Sequence, residues 1–183
     1  MKALIVVDMQ AGMFGSGRTP LNVETVVERL NAVGDAVRAR GGLVVFIQHT
    51  GQPGSDYAPG QPGWELLPSL DRRPEDRVVS KTICDSFYDT ELDSVLKSHG
   101  VEQLIIGGWA TDYCVDTTVR AAVSHEYEVT VIGDAHTAAD RDHLEAVSVI
   151  EHHNQTWNGL IAPRGVVRVL TTDEVLRLLA VDV

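Results

Sequence analysis

Three residues far apart in the chain, Asp8, Lys81 and Cys114, carry side chains able to do chemistry. Asp8 follows the apolar run Leu4-Ile5-Val6-Val7. It is either a helix cap or turn former, or a partly buried carboxylate at a crevice. A desolvated carboxylate holds a proton more tightly and suits a general base. Lys81 ends the run Val78-Val79-Ser80. It is either a solvated surface lysine or an ammonium aimed inward, where it would keep a nearby thiolate or carboxylate charged. Cys114 lies in Gly107-Gly108-Trp109-Ala110-Thr111-Asp112-Tyr113-Cys114-Val115. The two glycines permit a tight turn out of a strand. Thr111 can then cap a helix whose first turn contains Cys114. Free N–H groups and the helix dipole favour anions there, so the thiol is expected to be acidified. The same N–H groups could hold a developing oxyanion. The alternative for Cys114 is a small buried hydrophobe. Cys84, just past a strand end with no helix start, reads as a packing residue.

The elements that must position these residues alternate along the whole chain. Residues 3–7 form an uninterrupted apolar run, as in a strand buried on both faces. Residues 23–40 have helical spacing, with Asn22 as cap and Gly41-Gly42 as stop. A second strand spans 43–48, followed by a Gly/Pro-rich loop from His49 to about Gly63. A loop that long is usually functional. Further strands are expected at 78–80, 103–106, 128–132 and 166–170, and helices at 90–98, 111–125, 140–155 and 172–179 with Thr172 as cap. This alternation predicts one α/β domain over residues 1–183 with a mainly parallel sheet. Ligands of such sheets bind beyond the carboxyl ends of the strands, which directs attention to Asp8, His49, Lys81 and 108–114. Two other patterns are weak. Gly15-Ser16-Gly17 resembles part of a dinucleotide fingerprint but lacks the third glycine, and His152-His153 cannot share one helix face.

Composition excludes several partners. The 183 residues carry a net charge of −11, from 15 basic and 26 acidic side chains. Nucleic acid and anionic membranes require clustered Lys and Arg, and no basic stripe is present. No apolar run approaches the ~20 residues of a membrane span. The opening MKALIVVDMQ lacks a signal-peptide cleavage pattern, so a cytoplasmic protein with two reduced cysteines is expected.

Taken together, the motifs resemble those of the isochorismatase-like cysteine hydrolases, the superfamily of nicotinamidases and N-carbamoylsarcosine amidase. The resemblance covers nearly the whole chain. It rests on Asp8-Met9-Gln10 with Phe14, on Pro62-Gly63-Trp64-Glu65-Leu66, and on Lys81 followed by Ser86-Phe87 and Thr90-Glu91-Leu92. It rests also on Gly108 through Val115 and on Asp134-Ala135. It implies a three-layer α/β/α, Rossmann-like fold with a six-stranded mainly parallel sheet. It implies Asp8, Lys81 and Cys114 as a catalytic triad, with Cys114 forming a thioester. It implies a cis Trp109–Ala110 peptide and an oxyanion hole from the N–H groups of Ala110 and Cys114. Gln10, Phe14, His49 and Trp109 become the substrate-binding candidates. Nicotinamidases carry an Asp-x-His pair for a metal, whereas this loop reads Gln48-His49-Thr50, so no metal and no cofactor is expected. Family members that cleave the vinyl ether of isochorismate typically lack the cysteine, so Cys114 favours hydrolysis of a small amide or carbamoyl compound. Oligomer formation is a further implication of the resemblance.

Overall fold

A computed structural model describes residues 1–14 and 20–181. The Gly15-Ser16-Gly17 motif lies outside the described residues. The strands are β1 (Lys2–Val7), β2 (Leu43–His49), β3 (Arg77–Lys81), β4 (Gln103–Trp109), β5 (Glu128–Thr137), β6 (Ile161–Ala162), β7 (Gly165–Val166) and β8 (Arg168–Leu170). The helices are α1 (Val23–Ala39), α2 (Leu92–Ser98), α3 (Asp116–Ser124), α4 (Ala146–Trp157) and α5 (Thr172–Val181). Six strands form one sheet in the order β3-β2-β1-β4-β5-β8, parallel throughout. Strands β6 and β7 pair separately as a small antiparallel hairpin.

The apolar runs of β1, β2 and β4 are continuous because both sheet faces are covered. Ile5, Val7, Val45, Ile47, Leu104 and Ile106 pack on one face with Leu92 and Leu96 of α2, Val119 of α3 and Trp157 of α4. Leu4, Val6, Val44, Phe46 and Ile105 pack on the other with Val27, Leu30 and Val37 of α1 and Val175 and Leu179 of α5. Side chains alternate between faces with period two, so each run fills two cores at once. The result is the expected three-layer α/β/α arrangement. Among the described residues no helix is long and apolar enough to cross a membrane.

Strand order turns at β1, whose neighbours β2 and β4 lie on either side. In register, Val7 stands between Ile47 and Gly108, and His49 stands beside Lys81. The carboxyl ends of four strands are therefore level, and a crevice opens where connections leave in opposite directions.

Several local expectations are corrected. Gly107 and Gly108 do not end the fourth strand; they lie within β4, which runs to Trp109. Gly108 has φ 127°, and a Cβ there would strike the backbone oxygen of Val7. A Cβ on Gly107 would lie 2.5 Å from the carbonyl oxygen of Ala135. These glycines let β1 and β5 close tightly on β4 rather than break it. Asn22 occupies the first position before α1 but makes no capping side-chain bond. The cap of α5 is Thr171, not Thr172: the Glu174 N–H donates to the Thr171 hydroxyl at 3.4 Å, and the Thr171 N–H donates to Glu174 Oε2 at 2.8 Å. This is a reciprocal capping box. The helix expected over 140–155 begins at Ala146, where Asp140 accepts a bond from the Ala146 N–H at 2.8 Å.

Candidate active site

Asp8 is the first residue beyond β1 and has φ 48°, a left-handed conformation that aspartate tolerates better than most residues. Its N–H still donates to the Ile47 carbonyl at 3.0 Å, so the chain turns only after its last ladder bond. The carboxylate is wholly buried, 2.7 Å from Lys81 Nζ, whose side chain is also wholly buried. The ammonium is held further by donation to the Ile83 carbonyl at 2.9 Å and the Cys84 carbonyl at 3.5 Å. Beyond this ammonium and the Cys114 thiol, the oxygens of Asp8 have no hydrogen-bond partner among the described residues. Burial therefore raises the carboxyl above its ordinary range, against the opposing pull of Lys81. Lys81 is disfavoured by burial, yet Asp8 and the Cys114 sulfur more than offset this and hold it above the ordinary lysine value. The pair is a carboxylate of enhanced basicity beside a persistent cation.

Cys114 does not sit in the first turn of a regular α-helix. Residues Thr111–Val115 form a π-helical turn, continued by α3. Ala110 precedes it, and its carbonyl accepts from the Tyr113 and Val115 N–H groups, both at 3.1 Å. Thr111 caps nothing; its hydroxyl meets His136 Nδ1 at 2.8 Å. The expected acidified thiol is corrected as well. Burial and the Asp8 charge push the Cys114 thiol up, and Lys81 only partly opposes them. The Asp8 carboxyl stands alongside the thiol. The peptide between Trp109 and Ala110 is cis.

These residues face a cavity of about 360 Å³. Asp8, Cys114, Ala110, Trp109 and His49 line it, joined by Gly12, Met13, Tyr57, Cys84, Tyr113 and Arg141. Lys81 stands behind Asp8 rather than in the wall. Gln10 is not in the wall either. Its amide donates to the carbonyls of His49 at 2.9 Å and Trp64 at 2.8 Å and accepts from the His49 N–H at 2.7 Å. It clamps the long loop onto β2 and is wholly buried. Phe14 also stands outside the lining and packs edge-on against Trp109, at 5.5 Å between ring centres. His49 does face the cavity; its Nδ1 is buried without a partner, and burial lowers its pKa, which keeps the ring neutral.

Tyr57, Tyr113 and Arg141 were not singled out in the sequence, and Cys84, read there as a packing residue, lines the cavity. Tyr57 lies in the long loop already marked as functional and is tied down by donation to the Gly12 carbonyl at 3.0 Å. Cys84 reaches the cavity because the turn after β3 curls around the Lys81 ammonium. Tyr113 adjoins Cys114, and Arg141 lies over its ring at 4.9 Å while making a two-pronged ion pair with Asp112 at 2.8–3.0 Å. Arg141 carried no signal, because its segment had the spacing of a helix. Among the described residues no three His, Cys, Asp or Glu side chains gather as a metal-binding group.

Comparison with known proteins identifies the family. Residues 2–157 match the family model described as the isochorismatase domain. The chain is 36% identical over 140 residues to streptothricin hydrolase of Streptomyces noursei, covering 76% of this chain and 56% of that one. It thus spans little more than half that relative's length. It is 33% identical over 175 residues to the ureidoacrylate amidohydrolase RutB of Methylorubrum extorquens, covering 72% and 68%. Among solved structures, the cysteine hydrolase from Pseudomonas syringae pv. phaseolicola 1448A superposes with a TM-score of 0.86 at 28% identity, covering 98% of this chain and 92% of that one. The chain belongs to the isochorismatase family.

Proposed function

We propose that the protein is a cysteine hydrolase that cleaves a carbon–nitrogen bond of a small amide, lactam or carbamoyl compound. One observation carries this reading: a buried basic carboxylate, a buried ammonium and a thiol converge at one end of a cavity large enough for a small molecule. A packing cysteine has no use for such neighbours. The relatives named as streptothricin hydrolase and ureidoacrylate amidohydrolase support an amide-type bond.

Asp8 takes the thiol proton of Cys114 as the sulfur attacks the substrate carbonyl. Lys81 stabilises the charge that develops as the proton moves. The oxyanion is received by the backbone N–H groups of Ala110 and Cys114. The C–N bond breaks, Asp8 returns the proton to the departing nitrogen, and a thioester remains on Cys114. Water attacks the thioester, giving a proton to Asp8, and the acid leaves as the thiol re-forms. His49 and Trp109 orient the substrate, His49 through its unpartnered ring nitrogen.

The test is a panel of small amides, lactams and ureido compounds scored for ammonia or amine release, with wild type and Cys114→Ala side by side. Release that vanishes in the variant, with an acyl adduct on Cys114 in quenched wild-type samples, is the expected outcome. Turnover of isochorismate with no release from any amide would replace this reading by ether hydrolysis.

A further inference from the structure

Helix α4 lies behind the site, touches no reacting atom in the scheme above, and is joined by hydrogen bonds to both ends of the Cys114 turn. At the leading end, the Asn154 amide donates to the Gly133 carbonyl at 2.8 Å. That fixes the amide orientation, because a carbonyl can only accept. Asn154 Oδ1 is left to accept from His136 Nε2 at 2.9 Å. With its proton on Nε2, the His136 ring presents a bare Nδ1, which accepts from the Thr111 hydroxyl at 2.8 Å. Thr111 opens the π-helical turn that holds Cys114. At the trailing end, Trp157 Nε1 donates to Asp116 Oδ1 at 2.7 Å, and Asp116 begins α3 directly after the turn.

The fold makes room for this brace. Between Ile106 and Gly108, β4 advances two residues while β5 advances five, from Val131 to His136. The extra residues carry His136 opposite Gly108, level with the start of the turn. Gly133 admits Asn154: a Cβ there would lie 3.4 Å from both amide atoms and 2.7 Å from Val169 Cγ1. The His136 and Trp157 rings pack edge to face, 5.2 Å between centres, so the two lines support each other. Thr111, His136 and Trp157 are all buried.

The geometry points to a positioning role for Thr111, His136, Asn154 and Trp157: α4 clamps the π-helical turn at both ends and so sets where the Cys114 sulfur stands relative to Asp8. A π-helical turn leaves more freedom than an α-helical one, and misplacement of a reacting group by about 1 Å can cost about a hundredfold in rate. The inference rests on Cys114 being the reacting thiol but not on which bond is cleaved.

Alkylation of Cys114 by iodoacetamide, followed by peptide mass spectrometry at mildly alkaline pH with Cys84 as internal reference, needs no substrate. Thr111→Val keeps the shape and removes the hydroxyl; Thr111→Ser restores the hydroxyl. In folded protein, Thr111→Val is expected to speed Cys114 alkylation about tenfold, as the sulfur drifts from the Asp8 charge, and Thr111→Ser to return it to within about twofold of wild type. On any amide that is turned over, kcat falls with KM unchanged. Should Thr111→Val fail to fold, Trp157→Phe reads the other end in the same way. Wild-type or slower alkylation in either folded variant, or a gain in Thr111→Ser equal to that in Thr111→Val, overturns the proposal. Faster alkylation without turnover of any amide keeps the brace and removes the amidase reading. Amide turnover with unchanged alkylation does the reverse.

Discussion

The chemistry of the site turns on how one proton is shared. Asp8 and Cys114 compete for it beside Lys81, and burial makes two negative charges there costly. In the proposed mechanism the resting pair is carboxylate and thiol, with the carboxylate as the base. Asp8→Asn separates reactivity from catalysis. It removes the charge that raises the thiol pKa while the Lys81 ammonium, which lowers it, remains. Cys114 should then be alkylated faster near neutral pH, while hydrolysis falls by at least about a hundredfold for want of a proton carrier. Slower alkylation would show that Asp8 acidifies the thiol. Position was legible in the sequence: Asp8 and Lys81 stand at strand ends and Cys114 in the turn that follows β4. Charge state was not, because it depends on burial and on a neighbour more than a hundred residues away.

At the scale of elements, β4 carries the site only because it lies flush against β1. Gly108→Ala tests this directly. The left-handed φ and the collision with the Val7 backbone cannot both be relieved without moving β4. A loss of about 3 kcal/mol or more in urea denaturation is expected, with activity falling further as the Cys114 turn shifts. A loss below 1 kcal/mol would mean that the strand can retreat at little cost. In the sequence these glycines read as a turn, since a pair of glycines is commoner there than inside a strand. What they do inside β4 is a matter of distance to other strands, which no local pattern reports. The same holds for Gln10, whose motif suggested a ligand contact but whose amide is spent on the loop.

For the molecule as a whole, the brace leaves a signature in acid. His136 is neutral and buried, with its pKa lowered to about 4, first by desolvation and then by His153, against Asn154 and Asp134. Unfolded, it titrates near 6.5. The unfolded chain therefore binds the extra proton between these values, and stability falls as pH drops from about 6.5 to about 4. The full effect is about 3 kcal/mol. Denaturation midpoints at neutral and acidic pH should converge less steeply in His136→Asn, which has no ring to protonate. Asp8, raised by burial, has the opposite sign in both proteins and cancels in the comparison. Equal slopes in wild type and variant would show that His136 is already solvated in the fold.

The sequence by itself determined the class of fold, because strands buried on both faces and helices with one apolar stripe are recorded in local periodicity. It also placed Asp8 and Lys81 at strand ends, where a parallel sheet collects its polar functional groups. The tertiary structure decided the rest. The cavity wall draws Tyr57, Cys84 and Arg141 from segments with no common pattern. The protonation of Cys114 follows from burial beside Asp8 and Lys81. Helix α4, which reads as an ordinary helix, becomes a support for the nucleophile turn only through bonds from Asn154 and Trp157 to residues brought near by packing. Cys114 reads as an acidic thiol on a helix; in the folded molecule burial and the Asp8 charge push its pKa up instead.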